Sequence, residues 1–297
     1  MNNELIIEIT GLTHSYGKNK VLHGIDFSVE KGKTFGLLGK NGAGKTTTIN
    51  IMMGFLIPDS GKCLVFGENA HRLSPHAKRR IGLLHEGHLS YEFMSIAETE
   101  KFYSRFYPAW DAEIYAYLVD KLGLKRTHKI KNMSCGQRSQ VALAALMAQN
   151  ADILILDDFS MGLDAGYRRL FIDHLNFYVK QREKTVLITS HIVQDLERFV
   201  DEALIIDKGH VLRSAPISEL RGGLFGYRID NKRDVKPLEH EKAIKDLSHT
   251  SESYEIICEV PPNDAADYFS AKLGGKVAPE PFNITLEDAF IALTGKY

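Results

Sequence analysis

Short apolar runs, most of them rich in β-branched residues, alternate along the chain with longer segments in which apolar residues recur at helical spacing. The runs that favour strands are LIIEIT, TFGLLG, CLVFG, ILILDD, TVLITS and ALIID. Helical patterns lie between several of them. This order predicts an α/β core built on a largely parallel sheet, with an antiparallel β portion beside it.

The stretch from Ser90 to Lys131 carries no strand pattern. Apolar and aromatic residues recur there at helical spacing, among them Ile96, Phe102, Phe106, Tyr115 and Leu118. The spacing predicts an inserted helical segment. The apolar stripe itself is typical of ordinary core packing.

A linker is predicted near Arg221, where two glycines follow. Beyond it, FGYRID, EKAIKDL, SYEIICEV and AADYFSAKL alternate strand and helix patterns on a small scale. A last helix is predicted to begin at Thr285, with Asp288 as its capping-box partner. We therefore predict a first domain of residues 1–220, with a helical subdomain at about 90–150, and a small α+β domain of residues 221–297.

Charge and cysteine content narrow the functional classes. Lys and Arg together number 37 and Asp and Glu 38, so no strong overall field attracts nucleic acid or anionic lipid. The 3 cysteines are widely spaced and lack a CxxC pair, which argues against a disulfide framework or a zinc site and fits a reducing cytosol.

The hydropathy pattern along the chain does not indicate a membrane-spanning segment. The start, MNNELIIEIT, has no basic region followed by a long apolar run, so no secretory signal is expected. The longest apolar run, VALAALMA, is shorter than the roughly 20 residues that span a bilayer. Any work at a membrane is therefore expected to need docking onto another chain.

The segment GKNGAGKTT, which begins at Gly39, fits the phosphate-loop pattern GxxxxGK[ST]. It follows the strand run TFGLL and precedes an apolar helical run. Glycines let successive backbone N–H groups point at phosphate oxygens, and the following helix directs its positive end at the same anion. Lys45 is then expected to reach the terminal phosphates, and Thr46 to place its hydroxyl on Mg²⁺.

Two later strand runs also end in residues suited to nucleotide chemistry. ILILDD ends in Asp157 and Asp158, and ligands gather where parallel strands end. Asp157 is a candidate for the Mg²⁺ shell. TVLITS runs into His191, which in this company is a candidate to contact the γ-phosphate or the attacking water.

In this order the motifs resemble those of the ATP-binding subunit of an ABC transporter, a P-loop NTPase, over roughly residues 4–220. MSCGQ (133–137) matches the family signature, MGLD (161–164) its D-loop and ILILDD its second nucleotide motif. The resemblance implies that ATP and Mg²⁺ bind. It places the ring of Tyr16 on adenine. The other residues that it places on ATP are Asn41, Gly42, Ala43, Gly44, Lys45, Thr46, Thr47, Ser134, Gly136 and Gln137. It places Thr46, Asp157 and Glu86 on the metal, and Asp158, His191 and Glu86 in catalysis.

The same resemblance implies a head-to-tail dimer with two ATP molecules at its interface. Ser134, Gly136 and Gln137 of one protomer close on the phosphate that Lys45 of the other holds. The second ATP-binding subunit is expected to be another copy of this chain rather than a different cassette. The helical segment is expected to receive a separate transmembrane permease, which places the chain peripherally at the cytoplasmic face of the cell membrane. The single cassette with a short tail is similar to ABC-2-type exporters, although importer subunits also carry tails.

Three positions depart from the family pattern. Asp158 stands where the family usually has a Glu that acts as general base, and the shorter side chain withdraws the carboxylate by about 1.3 Å. Slow hydrolysis is one expectation, and restoration of reach by a backbone shift or a relay water is the other. Glu86 replaces the usual Gln and adds negative charge beside an anionic ligand. Cys135 replaces a signature glycine and is interpreted as a packed residue.

Other functional classes fit the sequence less well. A soluble ATP switch that acts on ribosomes or DNA usually carries two cassettes or a long coiled-coil insertion, and neither pattern is present. No nucleic-acid partner is therefore expected. The motifs MSCGQ and MGLD have no role in an unrelated P-loop kinase or GTPase. The sequence also has no guanine-reading NKxD motif in a suitable place. A slowly hydrolysing regulatory cassette remains an alternative.

Overall fold

The computed structural model describes residues 4–87, 91–160, 162–194, 196–231 and 233–295. The chain divides into two compact units, Met1–Ser214 and Ala215–Tyr297. The predicted domain boundary after residue 220 lies slightly C-terminal of this division. Residues 1–3 of the predicted first domain, and Ser90 at the predicted start of the helical segment, lie outside the described residues.

The first unit holds two sheets and six helices among its described residues. Its strands are β1 (Leu5–Tyr16), β2 (Asn19–Glu30), β3 (Thr34–Leu38), β4 (Ser60–Val65), β5 (Glu68–Asn69), β6 (Ile81–Leu84), β7 (Ile153–Leu156), β8 (Thr185–Ser190), β9 (Glu202–Asp207) and β10 (His210–Pro216), the last of which ends just past the division. Its helices are α1 (Lys45–Met52), α2 (Pro75–Arg79), α3 (Ile96–Tyr103), α4 (Ala112–Asp120), α5 (Cys135–Ala148) and α6 (Ala165–Arg182).

The central sheet has six strands in the order β10-β9-β3-β8-β7-β6. The pairs β3–β8, β3–β9, β7–β8 and β6–β7 are parallel. Every residue of β3, β7 and β8 is buried. Parallel strands covered on both faces are expected to be continuous apolar runs, which is why the sequence pattern found them. The predicted α/β core with a largely parallel sheet is confirmed.

The antiparallel sheet has the order β2-β1-β4-β5. The sequence pattern missed β2, in which buried Leu22, Ile25, Phe27 and Val29 are separated by more exposed residues. One face of this strand is solvated, so it reads as an alternation rather than as an apolar run. β6 was also missed.

Helices α3, α4 and α5 occupy the region between β6 and β7. Side chains cap all three N-termini: Ser95 forms a capping box with Glu98, Asp111 caps α4, and Ser134 begins α5. Among the residues described between β6 and β7, β pairing is limited to an isolated bridge from Ser95 to Lys129.

The predicted apolar stripe of this region is only partly core. Ile96, Tyr115 and Leu118 are buried, and the Tyr115 hydroxyl donates a hydrogen bond to the Ile96 carbonyl at 2.8 Å. Phe106 is 56% exposed, so its assignment to the core was wrong. Helical spacing identifies one face of a helix, but it does not say whether another element covers the end of that face.

The second unit is a four-stranded sheet with a helix on each face. Its elements are β11 (Phe225–Asp230), β12 (Ile244–His249), β13 (Ser253–Cys258), α7 (Pro262–Leu273), β14 (Glu280–Phe282) and α8 (Leu286–Thr294). The strand order is β12-β13-β11-β14, and the described pairs are antiparallel. Ile256 packs in a cluster with Phe269 of α7, whereas Ile257 packs with Ala289 of α8. Since adjacent strand residues point to opposite faces, the two helices cover opposite faces.

Two predictions for this unit have different outcomes. The capping box at Thr285 and Asp288 is confirmed at the start of α8. The helix predicted over EKAIKDL was wrong, because this segment contributes β12. Ile244 and Leu247 are spaced as in a helix, but a register shift in the pairing with β13 brings both into one apolar cluster. Thr250 bonds to Ser253 and closes the hairpin that imposes this pairing.

None of the helices in the described residues is long and apolar enough to span a membrane.

Candidate functional site

A cleft of about 510 Å³ opens where strands of the central sheet end. Because β3, β8, β7 and β6 are adjacent and parallel, the loops after their carboxyl ends lie side by side. The described residues that line the cleft are Tyr16, Asn19, Val21, Asn41, Gly42, Gly44, Lys45, Thr46, Thr47, Glu86 and Asp158. The predicted phosphate loop therefore shares one cleft with Tyr16, Glu86 and Asp158.

The glycines of the phosphate loop are required by its close packing. Gly44 is the N-cap of α1 with φ of 106°, and a Cβ there would lie 2.6 Å from Cδ2 of Leu22. A Cβ at Gly39 would lie 2.5 Å from the backbone oxygen of Ile206. The loop is thus a tight backbone curl at a helix N-terminus, which is a geometry suited to phosphate.

Lys45 is held inside this loop. Its side chain is buried and donates hydrogen bonds to the carbonyls of Gly39 at 2.7 Å and Lys40 at 3.0 Å. Burial lowers the pKa of Lys45, and the charges of Asp158, Asp157 and Glu86 oppose that effect. An ammonium has three protons, so these two bonds leave one donor for an anion in the cleft.

Asp157 follows β7 and lies at the base of the same region. It is 1% exposed, and its Oδ1 accepts hydrogen bonds from the hydroxyls of Thr46 at 3.3 Å and Thr189 at 2.9 Å. Carboxylate and hydroxyl oxygens are the ligands that Mg²⁺ prefers, and this ion usually takes few protein ligands beside phosphates and water. The donor set of Thr46, Asp157 and the nearby Glu86 carboxylate therefore fits Mg²⁺.

Asp158 is the most constrained residue of the cleft. Its Oδ2 lies 2.7 Å from Nδ1 of His191, and its Oδ1 accepts a hydrogen bond from Ser160 at 3.2 Å. Its backbone N–H donates to Thr189 at 2.9 Å, and its φ of 39° lies in the left-handed region. Backbone strain in a residue without glycine's freedom is concentrated at functional sites.

Sequence reasoning missed two of these contacts. Thr189 bonds both carboxylate residues, and Ser160 holds one oxygen of Asp158. Both are polar residues at 0% and 3% exposure, beside or within strand ends already assigned to the site. A buried hydroxyl in such a place needs a partner, and that requirement was the available signal.

Tyr16 and Glu86 lie at the edge of the cleft. Tyr16, at the end of β1, is about half exposed; its ring packs edge-on against His14, and its hydroxyl is 3.5 Å from Oγ1 of Thr47. The exposed ring is thus available for stacking on a planar group. Glu86, in the turn after β6, is exposed and acts on Lys45 through its charge.

The signature residues form a separate feature at the start of α5. Ser134 is exposed, its Oγ accepts a hydrogen bond from the Gln137 N–H, and the Gln137 side chain accepts one from the Ser134 N–H. The Ser134 hydroxyl proton is left to donate to an anion. Among the described residues that line the cleft, none belongs to 133–137. The D-loop is described from Gly162 onward, whereas Met161 lies outside the described residues.

Comparisons with known proteins agree with this arrangement. A family model described as ABC transporter matches residues 22–160. Nod factor export ATP-binding protein I of Burkholderia orbicola (strain AU 1054) is 30% identical over 300 residues, covering 98% of this chain and 97% of that protein. The protein of the same name from Cupriavidus metallidurans (strain ATCC 43123 / DSM 2839 / NBRC 102507 / CH34) is 28% identical over 306 residues, covering 98% of each.

Solved structures share the fold of part of this chain at lower identity. An ATP-binding subunit of an ABC transporter has a TM-score of 0.65 and 22% identity, covering 73% of this chain and 92% of that one. A dimeric ATP-binding cassette in a post-hydrolysis state, bound to ADP and Pi, has a TM-score of 0.62 and 19% identity, covering 71% and 98%.

Proposed function

This chain belongs to the ATP-binding proteins of ABC transporters, and on that premise we propose how its residues use ATP to drive an export permease. The predictions of an ABC ATP-binding subunit and of ATPase activity coupled to transport are confirmed. Proteins of this family dimerise and work with membrane permease subunits. We assign ATP binding and hydrolysis to the unit that ends at Ser214, and an accessory role to the unit that begins at Ala215.

Export is the direction that the relatives support. Several proteins named for Nod factor export align with this chain over 97% or 98% of their own length, so the likeness includes the second unit as well as the cassette. We propose that this chain serves an exporter of the same general architecture. Its working place is then the cytoplasmic face of the membrane, where the region of α3 and α4 receives a separate permease.

The cleft supports a specific assignment of ATP contacts. We assign the phosphates to Lys45 and to the amides of residues 41–47, and the adenine to the exposed ring of Tyr16. Thr46, Asp157 and Glu86 are the residues that would hold Mg²⁺. When bound, this ion neutralises charge that develops on the phosphates.

Asp158 and His191 are assigned to the hydrolytic step. The Asp158 carboxylate accepts the proton of the attacking water, while His191 and Ser160 fix its orientation through their contacts at 2.7 Å and 3.2 Å. The contact with His191, which directly follows β8, also ties the short side chain toward the end of that strand. The carboxylate therefore has little freedom to compensate for its missing methylene.

Asp158→Glu is expected to raise kcat by about 10- to 100-fold, because a 1 Å displacement of a catalytic group costs up to about 10²-fold in rate. The rate of phosphate release at saturating ATP and Mg²⁺ measures kcat. Asp152→Glu adds the same methylene at an exposed residue paired with Arg80 and should leave kcat unchanged. An unchanged or lower kcat for Asp158→Glu would show that reach does not limit the rate.

The observation that carries the dimer proposal is the separation of two anion-binding features. The phosphate loop lines the cleft, whereas exposed Ser134, at the N-terminus of the 14-residue helix α5, does not. A helix N-terminus with a free hydroxyl proton favours an anion. A second copy placed head-to-tail brings its Ser134 to the phosphates held by Lys45 and completes the site.

Light scattering of the Asp158→Asn protein tests this arrangement. This variant is chosen because blocked hydrolysis preserves the ATP-bound state. With ATP and Mg²⁺ the mass is expected to double, and with ADP to remain that of one chain. A mass that stays at one chain with ATP would overturn the homodimer. Recovery of a permease with the chain from native membranes tests the export assignment.

A further inference from the structure

The aromatic ring of Tyr167 lies directly on the backbone of Gly136. A Cβ at Gly136 would lie 2.5, 2.6 and 2.7 Å from three ring atoms of Tyr167. Gly136 is the second residue of α5 and has helical backbone, so no unusual φ requires glycine there. The missing side chain is needed because the tyrosine ring occupies its space.

The backbone that carries the ring is held by the start of its own helix. Tyr167 is the third residue of α6, and its backbone N–H donates a hydrogen bond to Oδ1 of the N-cap residue Asp164 at 2.9 Å. Asp164 is the last residue of the D-loop. This cap typically contributes about 1 kcal/mol to a helix, and it holds the backbone from which the ring extends over Gly136.

A second contact joins the same two segments. Gly162 has φ of 73°, and a Cβ there would lie 3.1 Å from Sγ of Cys135. Residues 162–167 thus touch both Cys135 and Gly136, the two residues that follow Ser134. The start of α5 therefore packs against the described part of the D-loop and the first turn of α6.

We propose that Tyr167 is a positioning residue that sets where the Ser134 hydroxyl lies when the signature closes on ATP held by a second copy. This inference rests on the proposed head-to-tail dimer. Behind the ring is a small, mostly apolar cavity lined in part by Leu143, Leu163 and Phe171. Removal of the ring enlarges that space, and the first turn of α5 is then expected to shift toward it because the ring no longer packs on Gly136.

Tyr167→Ala tests the positioning role in kinetics. At saturating ATP, kcat is expected to fall about 10- to 100-fold, because a displacement near 1 Å has that effect. The affinity of the single chain for ATP should not change, since Tyr167 does not line the nucleotide cleft. Tyr167→Phe keeps the ring and should retain kcat within about twofold. Phe177→Ala removes a 64% exposed ring from the same helix and should have no effect.

A double substitution separates positioning from general damage. Gly136→Ala alone puts its Cβ into the ring and is expected to lower kcat and ATP-dependent dimerisation. In Gly136→Ala/Tyr167→Ala the added methyl enters space that the ring has left, so kcat should exceed that of Gly136→Ala. If the losses of kcat in the two single variants simply multiply in the double variant, the proposal is overturned. Substitutions at two residues in contact are expected to have non-additive effects. Circular dichroism and ATP titration of each single chain verify that the variants fold.

Dimerisation in the Asp158→Asn background distinguishes the possible failures. If Asp158→Asn dimerises with ATP and Mg²⁺ whereas Asp158→Asn/Tyr167→Ala does so only at higher protein concentration, the positioning role is supported. If both dimerise equally and Tyr167→Ala retains kcat, the role of Tyr167 is overturned and the proposed function stands. If Asp158→Asn itself fails to dimerise, the proposed homodimer is overturned, and this inference with it.

Discussion

Lys45→Ala is expected to lower the affinity for ATP by about 10- to 100-fold and to remove measurable hydrolysis. The ammonium of Lys45 lies inside the phosphate loop, where the Gly39 and Lys40 carbonyls take two of its protons. A hydrogen bond to a charged group contributes about 1.5 to 3 kcal/mol, and each 1.4 kcal/mol corresponds to about a tenfold change in affinity. Calorimetric titration with ATP and Mg²⁺ at fixed salt measures the change.

Lys45→Ala is expected to reduce ATP affinity more than the removal of a surface lysine would, because Lys45 is already buried when no ATP is bound. Burial lowers its pKa, which means that the free protein holds the charged form at a cost. A phosphate beside the ammonium offsets that cost, so binding should raise the melting temperature of the parent protein. In Lys45→Ala the rise should be largely lost.

Two further variants separate charge from geometry at this position. Lys40→Ala removes the same charge from the same loop, but Lys40 is not among the described residues that line the cleft, so ATP affinity should be little changed. Lys45→Arg keeps the charge on a planar group that does not fit the contacts of an ammonium, and affinity should fall. Parent-like affinity in Lys45→Ala would place the phosphates elsewhere.

The strands that support the site could be predicted because burial and chemistry coincide in them. β3, β7 and β8 are buried on both faces, so each is an unbroken apolar run, and each ends directly in residues of the site. Local order along the chain was therefore sufficient to bring Lys45, Asp157 and His191 to one edge of the sheet. β2 and β12 could not be predicted in this way, because their exposure depends on neighbouring strands and on a register shift.

Contacts between distant segments were beyond the sequence pattern. Thr189 and Asp157 are 32 residues apart, and nothing in the spacing of either indicates their hydrogen bond. The contact between Gly136 and Tyr167 is of the same kind, because it arises from the packing of α5 against α6. Motif spacing and the family resemblance predicted the groups that we assign to ATP, whereas the residues that hold those groups in place required the fold.

The position of the Asp158 carboxylate depends both on its place in a motif and on contacts that only the fold provides. Resemblance to the family identified this residue as the candidate base, and the fold shows that His191, Ser160 and Thr189 hold its two oxygens and its N–H. A residue that needs three partners and a φ of 39° is kept in one orientation. Because a general base must lie within hydrogen-bond reach of the water, a carboxylate fixed in this way is sensitive to the length of its side chain.

Asp158→Asn is expected to lower kcat by about 10²- to 10⁴-fold, the usual contribution of a general base, while ATP-dependent dimerisation is retained. The amide has nearly the same shape and can keep the contacts with Ser160 and His191, but it cannot take a proton from water. Phosphate release at saturating ATP measures the loss, and Asp152→Asn at an exposed position serves as the control. A rate equal to that of the parent would remove Asp158 from the base role and would leave His191 as the remaining proton acceptor among the residues assigned to this step.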